Sequence, residues 1–279
     1  MPKTMVITGC STGLGRATAL HCAALGWQVW AAVRRPADAD SLLAEAGPAA
    51  ATLTPVLCDI TNSAQVAALA QQVGAATPGL DVLVNNAGTS YPGPLELLPL
   101  DELRAQLEIN VVAHLGVSQA LLPLLKAARG LLINISSVGG RVAYPLNGPY
   151  HMSKFALEAM SDSLRVELAP FGVRVVVVEP GASPTAIWQT SLARGLGSAA
   201  RARAAAYAPL IESVRRAALA GAERGFPPAQ FARLIQRIAA SRRPAPRYVI
   251  PGLVSWIIFA RWHLPDRLWD WGVRRVLKW

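Results

Sequence analysis

The sequence is short of cysteine and of charge, and each shortage excludes something. Three cysteines in 279 residues (Cys10, Cys22 and Cys58) are too few, and odd in number, for a disulfide framework. A reducing compartment such as the cytoplasm is therefore expected. No stretch of about 18 to 20 uninterrupted apolar residues is present, which argues against a spanning helix. After Met1-Pro2-Lys3 the chain goes straight into an apolar run and a glycine loop, so no secretory signal is read. Charged residues make up only 16% and apolar residues 52%, which excludes disorder and leaves an ordered domain with a sizeable core. No metal site is assigned.

Such charge as there is lies unevenly. Residues 1–193 hold 11 Lys/Arg against 13 Asp/Glu, a net of −2, whereas residues 194–279 hold 16 against 4, a net of +12. An acidic partner surface would account for that asymmetry.

Up to about residue 180, short runs rich in Val, Ile or Leu alternate with longer helical segments. Strands are expected at 4–8, 28–33, 54–57, 82–85, 131–136 and 174–179, and helices at 13–25, 63–73, 100–128 and 153–171. This alternation predicts a parallel sheet with right-handed crossovers and helices on both faces, the doubly wound Rossmann arrangement of the α/β class. A last strand at 248–250 brings the sheet to seven strands. Residues 182–247, rich in Ala and Arg and punctuated by glycines and a Pro227-Pro228 stop, are read as a helical substrate lid inserted into one catalytic domain, 1–251. Residues 252–279 form a C-terminal helical extension holding five of the eight tryptophans.

The segment from Thr8 to Gly15 lies between the first strand and the first helix. Glycines there allow a tight turn and close approach of a pyrophosphate, with the helix N-terminus supplying N–H groups and a positive dipole. Gly9, Ser11, Thr12, Gly13, Leu14 and Gly15 are the candidate contacts. The second strand ends in Val33-Arg34-Arg35, without the acid that would accept the ribose 2′-OH of NAD(H); the first acid is Asp38. Val33 leaves room there and Arg34 can pair a 2′-phosphate, so NADP(H) is expected ahead of NAD(H). The alternative is two solvated arginines in a surface loop.

Tyr150 and Lys154, four apart on a helix, share one face. A phenol with a pKa of about 10 is a poor base at neutral pH, and a nearby ammonium would stabilise its anion. The pair follows a strand ending Asn134-Ile135-Ser136-Ser137, at the edge where α/β sheets bind ligands. His151 is a competing acid/base, but a helix neighbour points about 100° away, so an ordinary helix histidine is expected. Cys10 is read as small filler in the loop.

Taken in order, these motifs resemble the short-chain dehydrogenase/reductase family. They are the glycine motif of residues 8–15, Asn85-Asn86-Ala87-Gly88, Asn110, Ser137 thirteen residues before Tyr150, Lys154, and Pro180-Gly181 with Thr185. The G-x-x-x-G-x-G spacing disfavours the family's extended, epimerase-like branch. The resemblance implies Tyr150 as general acid/base, Ser137 as the group bonding the substrate oxygen, and Lys154 on the nicotinamide ribose. It implies Asn110 as holder of a proton-relaying water, Asp59 and Ile60 on the adenine, and Asn86, Ala87 and Gly88 on the adenosine ribose. Pro180, Gly181 and Thr185 would approach the carboxamide. Ser136, one residue nearer the strand, is the weaker candidate for the serine role. The family also implies a homodimer or homotetramer assembled through the helices at 100–128 and 153–171.

Residues 153–158 (SKFALE) and 170–173 (PFGV) are similar to hydroxysteroid and retinol dehydrogenases, which implies a lipophilic ketone or alcohol as substrate. Two alternatives stand beside this. One is a reductase of acyl groups on an acidic carrier protein; the other is a non-catalytic NADPH-binding sensor or scaffold. No nucleic-acid reader motif accompanies the positive charge. Residues 265–279 read as an amphipathic helix with Leu268, Trp269, Val273, Val276 and Leu277 in one stripe. That stripe either packs on protein or makes a peripheral membrane contact.

Overall fold

A computed structural model of the chain describes residues 2–184 and 204–279. Seven strands, β1 (Thr4–Ile7), β2 (Gln28–Val33), β3 (Leu53–Leu57), β4 (Val82–Asn85), β5 (Leu131–Ile135), β6 (Arg174–Pro180) and β7 (Arg247–Ile250), form one sheet. Their order is β3-β2-β1-β4-β5-β6-β7, every pair parallel. The chain winds outward from β1 through β2 and β3, then crosses back to β4 and winds the other way. The reversal opens a crevice at the C-terminal ends of β1 and β4, the place where such sheets bind ligands.

Successive residues along each strand feed opposite faces. Met5, Ile7, Val29 and Ala31 join Ala19 and Cys22 of α1 (Gly13–Ala24), Leu42 of α2 (Pro36–Ala46) and Phe231, Ile235 and Ile238 of α8 (Pro228–Ala240). Val6, Trp30, Leu83 and Leu132 join Val66 and Leu69 of α3 (Ser63–Ala76), Val117 and Leu121 of α5 (Ala113–Ala128) and Leu164 of α6 (Gly148–Glu167). Both faces are covered, which is why the strand sequences are apolar throughout rather than alternating.

Several boundaries differ from the sequence expectation for physical reasons. Helix α2 was not anticipated: Leu42 is its one buried residue, so it carries no apolar stripe. The single helix expected at 100–128 is broken into α4 (Leu100–Leu107) and α5 by a π turn at Glu108–Val112. By length and composition this run could cross a membrane, but Val117, Leu121 and Leu125 are fully buried against the sheet. Helix α6 starts at Gly148 instead of 153, because Pro149 is tolerated in a first turn. Pro227-Pro228 is as much a start as a stop: Pro228 opens α8, a core helix at the end of the segment read as a lid. Ahead of it lies α7 (Ala208–Glu223).

The C-terminal residues fold as α9 (Ser255–His263) and α10 (Asp266–Leu277). They are not separate from the domain, since Ile258 packs with Val138 and Val142. All three cysteines are free and buried. Burial pushes the Cys22 thiol up to about 12 and, with help from Asp59, the Cys58 thiol up to about 11; Cys10 is raised further still.

Candidate active site

The turn after β1 is shaped by Gly9 (φ 73°) and Gly13 (φ 63°), in the left-handed region that side chains disfavour. A Cβ on Gly15 would lie 2.4 Å from both the Gly9 carbonyl and Asn86 Nδ2, so only glycine lets helix and loop close together here. Asn86 Nδ2 donates to the carbonyls of Thr8 (2.8 Å) and Gly9 (3.2 Å), and the Thr8 hydroxyl accepts from the Asn86 and Ala87 amides (3.0 Å each). The two motifs, 78 residues apart, thus brace one another. Thr12 begins α1 without a side-chain cap, and its first turn carries no acid. Free N–H groups and the positive helix end therefore face the crevice, a donor set suited to a pyrophosphate.

At the end of β2, Arg34 is exposed while Arg35 is paired with Asp38 at 2.8 and 2.9 Å. The Asp38 carboxyl is held below its usual range, with Arg35 the largest cause and Ser11 contributing a further hydrogen bond. An acid set aside in the sequence reading is thus folded back onto the glycine loop. Val33 turns its side chain into the core cluster that also holds Leu42. Asp59 bonds the Thr61 amide (2.9 Å) and hydroxyl (2.7 Å), and Ile60 is buried beside it.

Ser137 and Tyr150 come together at the ends of β5 and β6. The Ser137 hydroxyl accepts from the Gly139 amide (3.0 Å), donates to the Pro180 carbonyl (3.3 Å) and lies close enough to the Tyr150 phenol to act on its pKa. Burial raises the Tyr150 pKa above its ordinary value, against the Ser137 hydrogen bond, which lowers it. The buried Lys154 ammonium lies 5.8 Å from the Tyr150 ring centre and donates to the Ile135 carbonyl at 2.8 Å. Desolvation pushes it down to about 8, opposed by Glu158 one turn on. Ser136 points elsewhere, with its hydroxyl buried beneath Gly140.

Asn110 sits in the π turn with its side chain fully engaged: Oδ1 accepts from the Thr89 amide (2.9 Å), and Nδ2 donates to the Thr89 carbonyl (3.1 Å) and Ser153 Oγ (3.0 Å). It thereby ties the loop after Gly88 to α6. Gln106 adds a bond to the Thr89 carbonyl at 2.7 Å. Thr185 lies outside the described residues; Gly181 donates to the Ile250 carbonyl at 2.8 Å.

The sequence reading missed several supporting groups. His151 is buried and does not point away: Nδ1 bonds the Gly139 carbonyl (2.9 Å), and its ring lies edge-on to Tyr150 and Tyr144 at 6.1 and 6.0 Å. It braces the loop that carries Ser137. His114 donates to Ala87 O (2.8 Å), and burial together with the Lys154 charge pushes its pKa down to about 3, so it is neutral. A buried polar ladder runs from Asn85 Nδ2 to Asn134 Oδ1 (2.9 Å) and from Asn134 Nδ2 to Ser161 Oγ (2.8 Å), pinning α6 to the sheet. Beside the start of α6, Pro94, Leu95, Tyr144, Leu146 and Leu210, together with Tyr207 and the Glu96 carboxylate to which it donates (2.6 Å), line a mostly apolar recess of about 240 Å³.

Residues 3–194 match the short chain dehydrogenase family. The chain is 34% identical over 272 residues to an NADPH-dependent 3-dehydrocapnine reductase of Ornithobacterium rhinotracheale, covering 95% of this chain and 94% of that protein. It is 45% identical over 178 residues to mouse retinol dehydrogenase 5, covering 63% of this chain and 55% of that one. A Burkholderia cenocepacia short chain dehydrogenase solved in complex with NADP superposes with a TM-score of 0.73 at 26% identity, over 96% and 95% of the two chains. The protein therefore belongs to the short-chain dehydrogenase family. It is an oxidoreductase of the alcohol–carbonyl pair that uses a nicotinamide cofactor.

Proposed function

We propose that the protein reduces a lipophilic ketone, or oxidises the corresponding alcohol, with NADP(H). The nicotinamide, when bound, supplies or accepts the hydride. Tyr150 donates the proton to the substrate oxygen in reduction and removes it in oxidation, and Ser137 hydrogen-bonds that oxygen. The Lys154 ammonium stabilises the phenolate and holds the ribose hydroxyls. Asn110 serves by fixing the loop after Gly88 against α6 through its side chain, which leaves its main chain to hold the proton-relaying water. Gly9 to Gly15 take the pyrophosphate, Arg34 the 2′-phosphate, Asp59 and Ile60 the adenine, and Asn86 to Gly88 the adenosine ribose. Pro180 and Gly181, with Thr185, approach the carboxamide. The observation that carries the reading is the convergence of Ser137 and Tyr150 with the buried Lys154, whose ammonium lies 5.8 Å from the phenol ring and is held by the Ile135 carbonyl at 2.8 Å. Support for a lipophilic substrate comes from the apolar recess beside α6. The protein works as a homodimer or homotetramer in the cytoplasm, with peripheral membrane contact through 252–279.

One observation favours NADH instead: Asp38 stands five residues after the end of β2, half-buried and held by Arg35 at 2.8 and 2.9 Å, as an acid that could accept a ribose 2′-OH. The test is a panel of steroid, retinoid, sphingoid-ketone and acyl-thioester substrates assayed with each cofactor. Turnover of a lipophilic ketone with NADPH is expected. Turnover confined to carrier-bound thioesters would overturn the substrate reading, and preference for NADH would overturn the role of Arg34.

A further inference from the structure

The two C-terminal helices turn their aromatic residues outward. Trp256, Phe259, Trp262 and Trp271 are 70%, 53%, 62% and 66% exposed, an arrangement that no soluble core requires. Their exposure is not a sign of detachment, for the helices are held from within. Ile258 packs on Val138 and Val142 of the loop that carries Ser137, and Val254 approaches Gly181. Trp269 lies against Tyr144 (6.2 Å), and the terminal Trp279 stacks on Tyr207 (6.1 Å). Both tyrosines line the apolar recess beside α6. The helices are thus fixed to the mouth of the site on one side and uncovered on the other.

What they would meet is indicated by charge. Trp271, Arg274, Arg275, Lys278 and Trp279 surround a concave space of about 570 Å³. Arg261 is paired with Asp266 at 2.9 Å, but the three cations of the groove form no ion pair among the described residues. Cations between two indole rings match an anionic headgroup above an acyl layer: the indoles occupy the polar–apolar boundary and the cations meet phosphate. An acidic protein would satisfy the cations but leave Leu253, Trp256 and Phe259 in water.

We propose that α9 and α10 form a docking face for an anionic lipid bilayer, built onto the mouth of the active site so that a lipophilic substrate enters the recess from the membrane. The docking deepens the peripheral membrane contact proposed above by naming its face and its lipid, and the entry of substrate rests in addition on the lipophilic-ketone reading.

The test uses the full chain and two full-length double variants, Trp256→Ser/Phe259→Ser and Arg274→Glu/Arg275→Glu. Each is mixed with vesicles of phosphatidylcholine alone or with added phosphatidylglycerol, then sedimented. The native chain should partition onto the mixed vesicles and be released as salt shortens the Debye length from about 10 Å at 0.1 M to about 3 Å at 1 M. Each variant should partition at least about tenfold less while binding NADPH as before. Partitioning that ignores phosphatidylglycerol, or survives both variants, overturns the proposal. So does a fall in assembly size on gel filtration for the Trp256/Phe259 variant, which would mean that a second copy covers the face. Turnover of a water-soluble ketone is measured in parallel. Its absence despite vesicle binding would refute the enzymatic reading and leave the docking face standing.

Discussion

Two tryptophans set the two parts of this molecule side by side. Trp30, on β2, is buried beneath α3 among Val56, Val66 and Leu69, whereas Trp256, on α9, stands mostly in solvent. In the sheet and its covering helices, apolar residues face partners supplied by another element, and loops at one edge carry the polar groups of the site. In α9 and α10 the apolar residues outnumber the places that receive them: Ile258 and Leu277 are buried, while Ile257, Leu268 and Val276 are not. The same chemistry thus holds the fold together in one region and is left facing outward in the other. Burial, not hydrophobicity, separates the structural from the interactive use of an apolar side chain.

The sharpest way to break this comparison is to remove a buried ring from the sheet half. Phe231, fully buried in α8 and packed on Phe226, should cost about 3–5 kcal/mol when replaced by Ala, read from urea unfolding. A cost below about 1 kcal/mol would mean that α8 belongs with the outer segments rather than the core. Next in size is Tyr150→Phe, which keeps the ring and removes the exchangeable proton. Turnover should fall at least about 10²-fold while NADPH binding is retained, and near-native turnover would remove Tyr150 from the chemistry. Smaller again is Arg34→Ala, expected to weaken kcat/KM for NADPH about tenfold and leave NADH unaffected, the loss of one charge-assisted bond. An unchanged ratio would shift attention to Asp38. The smallest effect is expected for Trp256→Ser: unfolding free energy should stay within about 0.5 kcal/mol of the native chain. A larger loss would show that this ring has a protein partner after all.

These regions also differ in how much could be read from the sequence. The strands were legible because they are short runs, mostly rich in Val, Ile or Leu, set between longer helical stretches. Ser137, Tyr150 and Lys154 were legible because motif spacing fixes them on the strand end and helix turn that face each other. The π turn was not, because what accompanies it is Asn110 reaching Thr89 and Ser153, partners 21 and 43 residues away. The tail stripe was half right: Trp269, Val273 and Leu277, spaced by four, turn toward the domain, but Leu268 and Val276 do not. Helix periodicity locates a stripe and says nothing of how wide its receiving surface is.

The three buried cysteines give the molecule a timer of its own opening. With thiol pKa values pushed upward and side chains withdrawn from solvent, none offers a reactive thiolate in the closed fold. Cys10 in the glycine loop and Cys22 on α1 share the core on one face of the sheet, and Cys58 after β3 lies in the core on the other. Alkylation at each would therefore proceed only as fast as its own layer separates. The order in which the three become labelled would chart whether the glycine loop loosens before, or together with, the helix and strand that flank it.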